Sequence, residues 1–311
     1  MSVNITVPSL AKLNLDLRVL HKRADGYHEL RTIFQTISLR DTLRIEVELK
    51  KRTQIDLECS FDIADNLVTR AAALVLEHLG VSVWVRFALR KQIPMGAGLG
   101  GGSSNAAAVL IALPALLGKR IPLAELINLG ERLGSDVPFF LLGGTAVASG
   151  RGTELYPMPD APSRHVVVVV TGVHVSTAEA YAALERNVTD ALTSQARSPI
   201  LREFQTIAWN LGGPSLDQFP LTNDFQEPVF KRHPELAVVA RKLRRLGARP
   251  AQMTGSGSAI FGVFDSALRA REAAARFPTG TATAVRFVGR GRYRALWRRA
   301  LGPAAEYSCF A

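Results

Sequence analysis

The stretch PMGAGLGGGSSNAAAVLIAL, residues 94–113, places five glycines within residues 96–102, directly ahead of an apolar segment. Glycine loses more conformational freedom on folding than any other residue, so such a cluster needs an offsetting use. One use is a ligand that touches the main chain itself. Upstream, Val83, Val85, Phe87 and Leu89 alternate with Trp84, Arg86, Ala88 and Arg90, the period of a half-buried strand. Downstream, AAAVLIAL is apolar on every side and predicts a buried helix, with Ser103 or Ser104 as its cap. Strand, glycine loop and helix N-terminus bring free N–H groups and the positive end of a helix dipole to one spot, which suits a phosphate. A plain surface loop is the competing reading, but such loops rarely lead glycine straight into a buried helix.

The type of phosphate loop narrows by elimination. No lysine follows the glycines, so G-x-x-x-x-G-K-[ST] is absent. Gly96, Gly98 and Gly101 satisfy G-x-G-x-x-G, but a dinucleotide fold needs a second strand ending in an acid about 20 residues later. Here that region reads GKRIPLAELINLGERLG, a turn and another helix.

The 311 residues are 47% hydrophobic and 21% charged, which suits a soluble globular chain of one large or two ordinary domains. The N-terminus has no basic start followed by an apolar core, and no apolar run approaches the ~20 residues that span a bilayer. A signal peptide, a membrane span and a membrane partner are therefore not expected. Cys59 and Cys309 match no disulfide or metal spacing, which points to a reducing cytoplasm. No metal cage made of protein ligands is expected from the histidine spacing. The net charge of +11 gathers late, at Arg241, Lys242, Arg244, Arg245 and Arg249, then at Arg286, Arg290, Arg292, Arg294, Arg298 and Arg299. A nucleic-acid partner would use it, but solvated helix faces and a loose arginine-rich tail are the favoured reading.

Prolines in YPMPDAPSR mark a domain boundary, giving domains 1–156 and 157–311. The first mixes strands with the helix DNLVTRAAALVLEHLG, capped at Asp65 or Asn66 and closed by Gly80. The second restarts at HVVVVVTG, a buried central strand, and Ser176 with Glu179 forms a capping box. Residues 197–220 read as irregular, a long loop or short helices. The coarse class is two-domain α+β.

Three other stretches carry polar residues out of keeping with packing. Lys12 and Asn14 in SLAKLNLDL lie two apart on a strand and share a face. RADGYHEL turns at Asp25-Gly26 and then offers Tyr27 and His28, a ring to stack and an imidazole that both donates and accepts. An exposed hairpin tip would look the same. Asp136 in LGSDVPFF is either a helix cap or a functional carboxylate in an apolar wall. Phosphoryl transfer to an alcohol needs a group that accepts the hydroxyl proton and cations near the phosphate, which Asp136 and Lys12 could supply.

PMGAGLGGGSSNAA resembles the phosphate loop of the GHMP kinases, and MTGSGSAIFGVF resembles their late glycine motif. AKLNLDL, RADGYHELRTIFQTISLRDTL, DNLVTRAA and LGSDVPFF are similar to the branch whose acceptor is a cytidyl-linked methylerythritol of the non-mevalonate isoprenoid pathway. The likeness runs from about Leu10 to about Val288; residues 190 to 222 match weakly, and the chain past Val288 reads as an extension.

The resemblance implies a two-domain GHMP kinase fold, with an N-terminal ATP-loop domain, a ferredoxin-like C-terminal domain and a cleft between them. It implies ATP as phosphoryl donor, with Mg²⁺ bridging the triphosphate and Ser103 or Ser104 as the nearest protein group. Lys12 and Asp136 match the catalytic pair. ATP would lie along Pro94, Met95, Gly96, Ala97, Gly98, Leu99, Gly100, Gly101, Gly102, Ser103 and Ser104, with Asn66 and Lys91 at the adenine side. Asn14, Tyr27, His28, Thr177, Tyr181 and Gly255 match acceptor contacts, Tyr27 and Tyr181 as a sandwich for cytosine. A branched side chain at Gly100 or Gly101 is expected to take the phosphate's place. Another small-molecule kinase of the superfamily, or a basic nucleic-acid-binding protein on a kinase fold, stands as the alternative; the D-G-Y-H stretch argues for an acceptor with a base.

Overall fold

The computed structural model describes residues 3–60, 65–184, 194–210, 213 and 218–311. Two long strands dominate the first half, β1 (Val3–Lys22) and β2 (His28–Leu49), paired antiparallel along almost their whole length. The β2 strand gives its other edge to two partners. Its residues 42–49 pair with β4 (Val83–Arg90), and its residues 30–35 pair with β5 (Thr145–Gly150). Strands β3 (Gln54–Cys59), parallel to β4, and β6 (Glu154–Pro157) complete a six-stranded sheet.

Helices α1 (Leu67–Leu79), α2 (Gly101–Leu116), α3 (Leu123–Leu133) and α4 (Val137–Leu142) cover one face of that sheet. Asn66 caps α1 by accepting from the Val68 N–H at 3.0 Å, and Gly80 closes it in a left-handed conformation. The α2 body is buried all round, as its unbroken apolar run requires. Its cap differs from expectation: the helix starts at Gly101 after a left-handed Gly100, and no serine side chain caps it. Ser103 and Ser104 lie inside the first turn instead, because Gly100 reaches a positive φ that serine would resist. The six-residue α4 was not expected; VPFFLL is too short to show a helical period.

The second sheet, in the order β10-β7-β9-β8, is antiparallel and centred on the valine strand β7 (His165–Val169). Strands β8 (Ala251–Met253), β9 (Ile260–Phe264) and β10 (Ala282–Arg286) follow helix α8 (Pro234–Arg245) and flank helix α9 (Ala267–Ala274). A chain order of β-α-β-β-α-β with spatial order 4-1-3-2 is the ferredoxin-like arrangement. Helices α5 (Thr177–Ala183), α6 (Ser194–Asn210) and α7 (Gln226–Arg232) are inserted after its first strand. The α6 helix replaces much of the irregular segment expected at 197–220; polar residues distributed around it hid its period. The Ser176–Glu179 capping box forms as expected.

The layers run helices, sheet, sheet, helices. Ala11, Leu13 and Leu15 of β1 meet Val166, Val168 and Phe261 between the sheets. The arginine-rich end is a correction. It forms helix α10 (Arg290–Leu301), whose Tyr293, Trp297 and Leu301, spaced by four, are buried in the first domain's core. The Tyr293 hydroxyl donates to the Phe140 carbonyl of α4, and a Cβ on Gly143 would lie 2.3 Å from the Tyr293 ring. The arginines occupy the other faces of the helix, which is why charge alone read as a loose tail.

Candidate active site

Two cavities share the glycine loop as a wall. The smaller, about 340 Å³, is lined by residues 94–103 together with Asn66, Leu67, Lys91 and Asn105. The larger, about 780 Å³, holds Lys12, Asn14, Tyr27, His28, Asp136, Thr177, Tyr181 and Gly255. Gly96, Gly98 and Gly100 face both. Every expected side chain of the acceptor group thus lies on one side of the loop, and Asn66 and Lys91 lie on the other.

Backbone packing explains why the loop is glycine. It is pinned from one side by the Lys12 N–H donating to the Leu99 carbonyl at 3.0 Å, and from the other by Ala259 N–H to the Ala97 carbonyl at 3.2 Å. A Cβ at Gly98 would lie 2.3 Å from the Thr254 carbonyl oxygen, and one at Gly255 would lie 3.0 Å from Gly98 Cα. Gly98 and Gly255 have φ of 78° and 60°. The two glycine motifs, far apart in sequence, therefore touch main chain to main chain. Gly100 and Gly101 line the smaller cavity, and their Cβ atoms would meet the Phe140 ring at 2.8 Å and the Ile93 side chain at 2.9 Å, so bulk there collides with protein.

Asp41, which sequence reasoning missed, anchors the loop's entry. One carboxylate oxygen accepts from Gln92 N–H at 2.6 Å and Ile93 N–H at 2.8 Å. The other accepts from Asn105 at 3.0 Å and from the Lys91 ammonium, which also reaches Asn105 Oδ1 at 3.1 Å. Lys91 is thus committed to a buried ion pair at the edge of the smaller cavity, while Asn66 spends its carbonyl oxygen on the α1 cap.

Lys12 is buried to 4% of its side-chain surface, and its Nζ lies 3.2 Å from Asp136 Oδ2. It donates to Asn14 Oδ1 at 2.6 Å and sits 5.1 Å from the Phe34 ring centroid. Asn14 in turn donates to Thr32 Oγ1 at 2.8 Å, and its N–H donates to Thr254 Oγ1 at 2.9 Å. The ammonium is held in a fixed place by partners from β1, β2 and the turn before α4. Asp136 leads into α4 with αR backbone angles, and its side chain makes no capping hydrogen bond. Its carboxylate, 32% exposed, opens to the larger cavity.

At the far end the hairpin between β1 and β2 presents Tyr27 and His28. His28 stacks on Tyr181 at 4.4 Å between ring centroids, and Tyr181 also meets Phe225 edge-on at 4.8 Å. Tyr27 is half exposed and lies under the Arg151 guanidinium, 3.7 Å from ring centroid to Cζ. Tyr27 and Tyr181 are therefore not in mutual contact here; His28 occupies the Tyr181 face. Burial, with the positive charges of Lys22 and His21, holds the His28 pKa below its ordinary 6.5, so the ring stays neutral near pH 7 and keeps one donor and one acceptor. Burial, with Asp136 adding its charge, pushes the Tyr181 phenol up to about 12. Thr177 Oγ1 lies 3.1 Å from Ser256 Oγ, joining α5 to the late glycine turn.

Comparison with known proteins gives the family and the fold. Residues 66–144 match the family described as GHMP kinases N terminal domain, and residues 200–280 match GHMP kinases C terminal. A 4-diphosphocytidyl-2-C-methyl-D-erythritol kinase of Solibacter usitatus is 50% identical over 293 residues, covering 94% of this chain and 92% of that protein. One of Shewanella piezotolerans is 40% identical over 281 residues, covering 88% and 89%. A crystal structure of 4-(cytidine 5'-diphospho)-2C-methyl-D-erythritol kinase matches with a TM-score of 0.75 at 37% identity, covering 92% of this chain and 100% of that one. A homoserine kinase from Cytophaga hutchinsonii, 18% identical with a TM-score of 0.71 over 94% and 96%, shares the fold.

Proposed function

We propose, from the premise that this chain belongs to the GHMP kinase family and within it to the 4-diphosphocytidyl-2-C-methyl-D-erythritol kinases, a division of labour across the glycine loop. The protein is an ATP-dependent kinase that phosphorylates the 2-hydroxyl of 4-diphosphocytidyl-2-C-methyl-D-erythritol in the non-mevalonate pathway. ATP takes the smaller cavity, with the α2 N-terminus and loop N–H groups on its triphosphate. The acceptor takes the larger cavity, base toward His28 and alcohol toward Asp136.

The observation that carries the reading is the Lys12–Asp136 pair at 3.2 Å, beside the wall that both cavities share. Asp136 accepts the hydroxyl proton as the oxygen attacks the γ-phosphorus and ADP leaves with the electrons of the broken β,γ-bridge, and Lys12 orients that carboxylate and screens charge. Neutral His28 reads the cytosine edge. Asn14 holds Lys12, and Thr177 and Gly255 border the acceptor.

Among the described residues no group of three His, Cys, Asp or Glu could hold a metal by itself. Mg²⁺ then fits best as a partner of the triphosphate. The Ser103 hydroxyl and the Asp65 carboxylate stand in the cavity wall, whereas Ser104 is 2% exposed. When bound, Mg²⁺ supplies counter-charge to the phosphate oxygens. Unpaired Cys59 and Cys309 support a cytoplasmic site of action, and Arg290 and Arg298 of α10 donate to the Met158, Thr145 and Phe310 carbonyls, which supports reading them as structural, not as a nucleic-acid surface.

The test is ATP consumption against a panel of alcohols with and without the cytidyl group. Turnover confined to the cytidyl acceptor is the expected result. Equal turnover of cytidyl and uridyl versions would contradict a base-reading site, because a site built around a hydrogen-bonding group rejects its inverse strongly.

A further inference from the structure

We propose that Arg151 is a specificity-determining residue for the anionic linker of the acceptor, its guanidinium binding the diphosphate while its plane braces Tyr27. The proposal rests on the acceptor being a cytidine diphosphate ester. Such a molecule carries negative charge midway along its length, inside a cavity that must neutralise it. Two lysine or arginine side chains stand in that cavity's wall, Lys12 and Arg151. Lys12 is committed to Asp136 and Asn14. Arg151 is not committed: among the described residues no hydrogen bond or ion pair holds its guanidinium, and its buried Nε has no partner.

The acids nearby are occupied. Asp25, which feels the Arg151 charge, is paired with Arg23 at 3.2 Å and accepts from the Tyr27 N–H at 3.1 Å. Glu154 accepts from the Ser149 hydroxyl at 2.6 Å. Arg151 itself is fixed at the tip of the β5–β6 turn, between Gly150 at φ 65° and Gly152 at φ 91°. A buried donor without a partner costs free energy, which an arriving phosphate oxygen would recover. The planar guanidinium fork matches two phosphate oxygens, and it can keep its face on Tyr27 while its edge donates. This leaves the opposite face of Tyr27 for the base.

Competition by cytidine and by CDP separates linker binding from bracing, because only CDP carries the diphosphate. Inhibition constants against the cytidyl acceptor would be measured for wild type, Arg151→Gln and Arg151→Lys, with thermal melting and ATP-analogue titration to establish that each variant is folded. The expected result is that CDP outcompetes cytidine in wild type and that Arg151→Gln cuts this preference roughly tenfold or more, with Arg151→Lys restoring part of it. The acceptor KM should rise alongside, more than kcat falls. An unchanged CDP preference in Arg151→Gln, or equal losses for CDP and cytidine, would overturn linker binding and leave Arg151 as a brace. If wild type fails to turn over the cytidyl acceptor, the assignment of the acceptor fails first, and this proposal with it.

Discussion

The two cavities are built by opposite means. The smaller is made of main chain from one continuous stretch, residues 94–103, with few side chains from elsewhere. The larger is made of side chains delivered by β1, β2, the β5–β6 turn, α5, the turn before α4 and the late glycine turn. Main-chain donors hold a phosphate whatever group it is attached to, so the first site serves a donor common to many kinases. Side chains distinguish one acceptor from another, so the second carries the specificity. The difference makes separable demands on mutation: damage on one side of the wall should spare binding on the other.

The largest effect should come from the Lys12–Asp136 pair beside the shared wall. Asp136→Asn should lower kcat by a factor of ~10² or more while the KM for ATP stays nearly constant, since proton acceptance is lost and the ATP wall is intact. Steady-state kinetics checks this, and a variant with most of its turnover would remove Asp136 from the mechanism.

Next is the wall itself. Gly98→Ala puts a methyl 2.3 Å from a carbonyl oxygen at positive φ, so melting temperature and ATP-analogue affinity should both fall, the latter roughly tenfold or more. Gly102→Ala is the contrast: its methyl would meet only a Leu67 methyl at 3.5 Å. It should leave stability within about 0.5 kcal/mol, so any affinity loss there belongs to the cavity alone. Calorimetric titration beside thermal melting separates the two cases.

The smallest effect is in pH. Because the His28 pKa is depressed in the folded protein, the neutral ring persists as pH falls through 6.5, and protonation sets in only lower. The acceptor KM should be flat from pH 8 to about 6.5 and rise a few-fold below it, a rise that His28→Gln should abolish. Folding linkage has the same sign: stability tied to neutral His28 is present above the unfolded pKa and lost as pH falls through the folded one.

Legibility in the sequence divides along the same wall. The glycine loop could be read because its parts are contiguous and their spacing has one good physical use. Lys12 and Asn14 could be placed on one face of a strand, and Ser176 with Glu179 declared their own helix. That Asp136 meets Lys12 could be expected only from chemistry and resemblance, since nothing local in either segment points to the other. Asp41 was invisible: an acid in a long strand gives no sign that it will anchor residues 91–93 and Asn105. The α10 stripe of Tyr293, Trp297 and Leu301 was present in the sequence but masked by the arginines between its members. The stacking of His28, not Tyr27, on Tyr181 is a matter of side-chain rotation that no spacing determines.

Tyr27→Ala, measured for both substrates in one preparation, tests the separation of the two sites. Base–aromatic stacking is worth ~1–3 kcal/mol, so the account predicts an acceptor KM raised roughly ten- to a hundredfold with ATP-analogue affinity within about twofold of wild type. A parallel loss of ATP affinity, or an unmoved acceptor KM, would contradict it.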